Sequence, residues 1–293
     1  MNHCRISQQL VKPMLKGVAF VWIALAGSAA SAALVVGSAG QVLTQNFDAL
    51  ASAGNPNPAD PIAWTNDSTL SGWSLFSRRP VAPTPLTTYI AGTGSNNAGS
   101  FYSFGAAGNA ERALGGVGSG GAYWGSPSSG TVAGWIAAAF TNSSGATLDG
   151  FTVGFDGEQW RTGGCSGPSC VSVAQTMVFE YGFGATFGSV ATWIAPGAAF
   201  NFVSPIFGTS ASAVDGNSAA NRVAGLGGLV ATNWAANDTL WVRWIERNDL
   251  NNDHGLAIDN FSFTAGRSVP EPGTLALLGL SLAGLAASRR RRQ

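Results

Sequence analysis

Lysine is nearly absent. The 293-residue chain holds it only at Lys12 and Lys16, and residues of either charge sign make up just 10 %. Hydrophobic residues stand at 45 %. Wholesale disorder, which needs low hydrophobicity and high net charge, is therefore excluded. Residues 33–267 carry 8 Arg against 14 Asp or Glu. Such a mildly acidic body lacks the basic face of a nucleic-acid binder, and nothing draws it toward anionic lipid. Divalent cations are the charged partners it could attract. Histidine is scarcer: beyond His3 there is only His254. Any Ser-His-Asp set or His-based general base must use that residue. The spacings G-x-S-x-G and H-E-x-x-H and the Walker loop do not occur. A collagen-like chain is excluded too, because the 40 Gly and 13 Pro follow no three-residue period.

The basic charge sits at the two ends. Arg5, Lys12 and Lys16 precede an apolar run over residues 17–26 and then Ala30-Ser31-Ala32. These are the three parts of a secretory signal, and the run is too short to span a bilayer, which takes about 20 residues. A signal helix over 1–32 is expected, with signal peptidase cutting after Ala32. At the other end Val269-Pro270-Glu271-Pro272-Gly273-Thr274 leads into an apolar stretch over 275–287, then Ser288 and Arg289 to Arg292. Prolines hold that backbone extended, as a protease cleft requires. The apolar stretch predicts a hydrophobic helix, and the arginines would stay cytoplasmic. Residues 273–288 would reach only ~24 Å as a helix against a hydrocarbon core of about 30 Å. That suits transient anchoring in the inner membrane during export.

This tail, residues 268–293, resembles the PEP-CTERM sorting signal of Gram-negative bacteria. The resemblance implies recognition by an integral-membrane exosortase, a cut near Pro270, Glu271 and Pro272, and a destination at the cell surface or among extracellular polysaccharide.

Cys4 leaves with the signal; Cys165 and Cys170 remain. In an exported chain two nearby cysteines are expected to form a disulfide, read here as a clip across a hairpin tip.

Between 33 and 267 long amphipathic helices are missing. Short apolar runs are broken by Gly, Asn, Ser and Pro. Phe151, Val153 and Phe155 alternate with small residues; Val171, Val173, Met177, Phe179 and Tyr181 share one face; Leu240, Val242 and Trp244 alternate; Leu256, Ile258, Phe261 and Phe263 close the body. Runs at 72–77, 100–104, 134–142 and 199–203 are further candidates. A period of two with turns between predicts roughly ten strands in an all-β fold, a single antiparallel β-sandwich of jelly-roll-like kind. The stretches Gln45–Leu50, Tyr102–Gly108, Glu111–Gly116, Gly157–Arg161, Asp215–Asn217 with Asn221-Arg222, and Gly255–Phe263 together resemble an extracellular bacterial domain of no assigned activity. That domain is found alone or ahead of phosphodiesterase-type nucleases, whose catalytic module has no counterpart here. In the resemblance, Gln45–Leu50 and Gly255–Phe263 are the first and last strands.

Asp249, Asn251 and Asp253 are oxygen donors at alternate positions, the spacing calcium loops use. An EF-hand would need Gly at His254 and Glu at Asn260, so only a looser Ca²⁺ site is expected, joined by Asp48 or Asp259 if the terminal strands are adjacent. The competing reading is Asx-turn chemistry. Asp156 and Glu158 share a strand face; two neighbours on one strand seldom frame a substrate, so pairing with arginine is expected, as for Glu246 near Arg243 and Arg247. His254 is read as a solvent-facing turn residue. Trp241 and Trp244 have opposite parity in one strand, so one is expected to face outward or into a second layer, where it could stack on a sugar. The expected function is that of a non-enzymatic surface or matrix protein without cofactor, Ca²⁺ excepted. A carbohydrate-binding module is the alternative, and a hydrolase built on His254 is a third.

Overall fold

The computed structural model describes residues 33–52, 60–79, 82–168 and 170–267. The signal segment with Ala32, the tail with Pro270, Glu271 and Pro272, and both expected flanking helices lie outside the described residues. Sixteen strands follow one another: β1 (Leu34–Val36), β2 (Val42–Gln45), β3 (Ile62–Ala63), β4 (Trp73–Arg79), β5 (Ala82–Pro85), β6 (Thr88–Gly92), β7 (Ser100–Phe104), β8 (Ala113–Val117), β9 (Thr131–Asn142), β10 (Leu148–Thr162), β11 (Thr176–Phe183), β12 (Phe202–Val203), β13 (Ser212–Ala213), β14 (Arg222–Trp234), β15 (Thr239–Asn248) and β16 (Gly255–Ala265). Among the described residues, helix is confined to three single 3₁₀ turns, at Ala122–Trp124, Phe187–Ser189 and Ala198–Phe200.

The strands form two sheets. The first runs β12-β11-β15-β9-β4-β5, with β1 beside the end of β9; the second runs β13-β10-β16-β8-β7-β6-β3, with β14 on β10 and β2 on β16. The all-β expectation holds. The purely antiparallel one is corrected, because β1 joins β9 and β6 joins β7 in parallel. The two faces meet through rings. Phe140 of the first sheet stacks on Phe263 of the second at 4.0 Å. Trp73 meets Phe261 edge-on at 5.0 Å, and Phe155 meets Trp244 at 5.3 Å. Such pairs add ~0.5–1.5 kcal/mol each beyond the area they bury.

Strands β9 and β15 bury nearly every residue because the first sheet is covered on both faces. Leu240, Val242 and Trp244 enter the inter-sheet core. Trp241 and Ile245 enter a second cluster with Phe76, Trp135, Phe187 and Val190, formed where the segment after β11 folds back over the sheet and bridges Tyr181 to Ile194.

Three local expectations change. Val171 and Val173 are exposed and precede β11, which starts at Thr176. The first strand beside β16 is Val42–Gln45 and 46–50 is its following turn; the terminal strands are adjacent, the condition set for Asp48 or Asp259 to join a site, with Gln45 paired to Phe261. Cys165 and Cys170 do form a disulfide, but β10 and β11 belong to different sheets, so it closes a loop in a crossover instead of a hairpin tip.

Candidate functional site

In β10, Phe151, Val153 and Phe155 point into the core, so period two sends Asp156, Glu158 and Trp160 to the outer face of the second sheet. Strand β16 contributes Asp259 to the same face, one place after the inward Ile258 and just before a bulge. Between the register pairs Gly154–Ser262 and Asp156–Asp259 it carries one residue more than β10, and Asn260 there has φ of 50°. The extra residue changes parity, so Leu256 and Ile258 before it and Phe261 and Phe263 after it all reach the core. Asn260 Nδ2 donates to Asp156 Oδ2 at 3.0 Å and holds the bulge.

Glu111, on the loop before β8, completes a group. One carboxylate oxygen each from Glu111, Glu158 and Asp259 lies within 4.8 Å of the other two. Glu158 is 0 % exposed and Asp259 4 %. Glu111 Oε1, Glu158 Oε1 and Asp259 Oδ1 are buried without a hydrogen-bond partner, as is Asn221 Oδ1. The second oxygens of two of them are bonded: Trp160 Nε1 donates to Glu158 Oε2 at 3.0 Å, and Asn217 Nδ2 to Glu111 Oε2. Gly216 rests on Trp160, where a Cβ would come within 2.3 Å of the indole nitrogen. Burial, then the nearby Asp259 charge, pushes the Glu158 carboxyl up to about 8. Burial first, with Glu111, Asp48 and Asp156 adding repulsion, pushes Asp259 up to about 7.

Arginine does not neutralise this group in the expected way. Asp156 takes Arg222 at 3.6 Å. Arg161, two places beyond Trp160's neighbour Gln159, turns to the carbonyls of Gly94 and Ser95. Arg112 is buried, but its guanidinium binds Ser103 Oγ and the carbonyls of Gly92, Ser103 and Ala106. Three carboxylates so gathered, with Glu158 wholly buried, can hold a proton or a cation between them.

The other sequence candidates lie elsewhere. Asp259 does not join Asp249 and Asp253 in a cluster; among the described Asp, Glu, His and Cys side chains, the group of three just described is the one that gathers. Asp48 accepts the Arg112 backbone N–H at 3.0 Å. Asp253 Oδ1 accepts the Asp249 backbone N–H at 2.6 Å, and Asn251 Nδ2 donates to the Val171 carbonyl. These bonds build the loop, one within it and one to the distant segment at Val171, but neither is an Asx turn, in which the side chain bonds its own backbone two residues on. Glu246 pairs with neither expected arginine: Arg243 Nε binds Glu180 at 2.8 Å. Burial, with Asp253 and Asp249 nearby, holds the Glu246 carboxyl well above its usual range.

His254 is not at the surface. It is 4 % exposed, its Nδ1 faces Gln159 Nε2 at 3.2 Å, and its backbone N–H donates to Gln175. Burial lowers its pKa to about 4, so the ring is neutral and structural. The outward-tryptophan expectation is corrected for Trp244, which is 0 % exposed in the core; Trp241, 1 % exposed, takes the second-layer alternative. A groove of about 750 Å³ does open beside that layer, lined by Trp64, Phe76, Leu86, Phe187 and Trp241, with Asn66 and Ser68 among its polar residues.

Residues 268–292 match the PEP-CTERM protein-sorting motif. The motif carries Pro270, Glu271 and Pro272 and supports an exported protein sorted by exosortase and directed to the cell surface. No curated protein and no solved structure matches the chain. Sequence reasoning missed Glu111 and gave Glu158 to arginine. A signal for the group was nevertheless present: the stretches that carried the second resemblance contain Asp48, Glu111, Glu158, Asn217, Asn221 and Asp259, and they converge on this one face.

Proposed function

We propose that the exported body serves as a non-enzymatic component of the cell surface or extracellular matrix. The PEP-CTERM motif at 268–292 carries this reading. The engagement of His254 with Gln159 and Gln175 supports it, because the body's one histidine is committed to packing. A jelly-roll-like sandwich is the fold that accompanies the reading, supported by the pairing of β2 with β16. The test is to replace Pro270, Glu271 and Pro272 by Ala and to fractionate the cells. The parent is expected at the surface or in the medium with its tail removed, and the variant uncut and membrane-associated. Identical processing and location of both forms would overturn the sorting step. An intrinsic hydrolytic activity abolished by His254→Ala would overturn the non-enzymatic role.

A second reading, a carbohydrate-binding module, is favoured by the aromatic-lined groove. Aromatic walls with a few polar groups suit a sugar segment. Gly188 lines the groove, and a Cβ there would meet nothing within 4 Å. Gly188→Trp should therefore fill the groove without disturbing the fold. Retention on the producing cell's polysaccharide in affinity electrophoresis, lost in Gly188→Trp, is expected. Free migration of the parent through every polysaccharide tried would remove this reading.

A further inference from the structure

We propose that Glu111, Glu158 and Asp259 bind one hard divalent cation, Ca²⁺ before others, on the outer face of the second sheet. Ligand oxygens on opposite sides of a Ca²⁺ ion, at about 2.4 Å each, stand about 4.8 Å apart. The three carboxylate oxygens lie within that span. Their spare capacity is specific: one oxygen of each carboxylate is buried and accepts no hydrogen bond. Buried acceptors are normally paired, and a bound ion is one standard reason for an exception. Asn221 offers a fourth unpaired buried oxygen, and its backbone carbonyl takes the Gln159 N–H, which sets it next to Glu158 in the chain ladder.

Charge points the same way. Arg222 is committed to Asp156 and the Arg112 guanidinium to Ser103 and three carbonyls. The charges of both arginines are felt here, Arg222 by Glu158 and Arg112 by Glu111, but neither hydrogen-bonds the three carboxylates, and Glu158 and Asp259 still hold protons more tightly than usual; a bound cation would balance the remaining charge in their place. A donor set made only of oxygen selects a hard ion over zinc or copper. Mg²⁺ requires an octahedron at about 2.0–2.1 Å and gives up water reluctantly, so an irregular protein cage favours Ca²⁺. The ion would join the loop before β8 to strands β10 and β16, and affinity in the sub-millimolar to millimolar class of extracellular Ca²⁺ modules would suffice.

The experiment uses the protein purified after export, stripped with chelator. Thermal unfolding is followed with added Ca²⁺ or Mg²⁺, and Tb³⁺ luminescence is excited through tryptophan, since Trp160 touches Glu158. A Tm rise of about 5 °C or more is expected at Ca²⁺ a hundredfold above its Kd, with Tb³⁺ emission displaced by Ca²⁺. Glu158→Gln and Asp259→Asn should each weaken Ca²⁺ at least tenfold while leaving the metal-free Tm equal or higher. Asp249→Asn should leave both readouts intact. The parent readouts decide even if a variant fails to fold: no Tm change at about 10 mM Ca²⁺, together with no tryptophan-sensitised Tb³⁺ emission in the absence of Ca²⁺, overturns the proposal. So does an undiminished response in the Glu158→Gln, Asp259→Asn double variant, or a response lost in Asp249→Asn instead.

Discussion

Glu246 is the residue whose surroundings least suit its charge. It is buried, Asp253 and Asp249 are its charged neighbours, and the Gly118 N–H is its one favourable contact; Gly116 lies so close that a Cβ would touch the carboxyl at 3.0 Å. Its folded pKa is raised, and burial likewise pushes Asp253 up to about 7. The folded state thus holds protons that the unfolded state releases near pH 4. The stability these two groups contribute is complete below that point and is lost as pH rises through their folded values. His254 acts oppositely: its pKa falls to about 4, so its contribution is gained as pH rises to about 6.5 and is constant above. From pH 6.5 to 8.5 the acids alone set the slope, and Tm in chelator should fall. Glu246→Gln should flatten that fall and raise Tm at pH 8. An unchanged slope would show that the carboxyl is ionised throughout. Trp244, at the centre of the ring cluster with Trp73, Phe155, Phe179 and Phe261, is the opposite case. Trp244→Ala should cost about 3–5 kcal/mol in denaturant unfolding.

Among elements, the segment covering the first sheet is held by the cluster of Phe187 and Val190 and, in addition, by one charged side chain. Arg243 projects from β15, binds Glu180 across the strand pair, and lies 3.8 Å from the centre of the Trp193 ring. Arg243→Ala removes the ion pair and the ring contact together. Faster hydrogen exchange or proteolysis over 184–195 is expected, with the β9–β15 ladder protected as before. The crossover between β10 and β11 is closed by Cys165–Cys170. So small a loop constrains the unfolded chain by about 2 kcal/mol, so reduction should lower Tm by roughly 4–8 °C without loss of the sheets' far-ultraviolet signal. The alternation of Met177, Phe179 and Tyr181 was legible because β11 buries one side of its pleat. Strand β14 was not: Arg222–Trp234 holds three glycines and is exposed along much of its length, so the apolar face made by Leu226, Val230 and Trp234 is too sparse to read, and pairing with β10 places it.

For the whole molecule, sorting and folding are written in different parts of the chain. The motif at 268–292 addresses the protein; the described body is two facing sheets whose rings interlock. Processing at Pro270–Pro272 should therefore leave the body's unfolding unchanged. The Tm of the trimmed form should match that of an uncut variant in detergent within about 1 °C, since no packing change is expected; a larger difference would mean the tail packs on the body.

Residues contiguous in sequence were sufficient for the address, the strand-rich class and the disulfide, because each depends on local order: a proline–acid–proline run before an apolar stretch, a period of two, two cysteines five places apart. The acidic group was a tertiary matter. Glu111, Glu158 and Asp259 come from a loop and two strands; Asp259 faces outward by alternation with Ile258, while the one-residue bulge after it, which sequence alone does not show, returns Phe261 and Phe263 to the core. Burial was equally beyond reach for Trp241, Glu246 and His254. A strand's own pattern tells which residues share a face, but only the segment folded over that face decides whether it meets water.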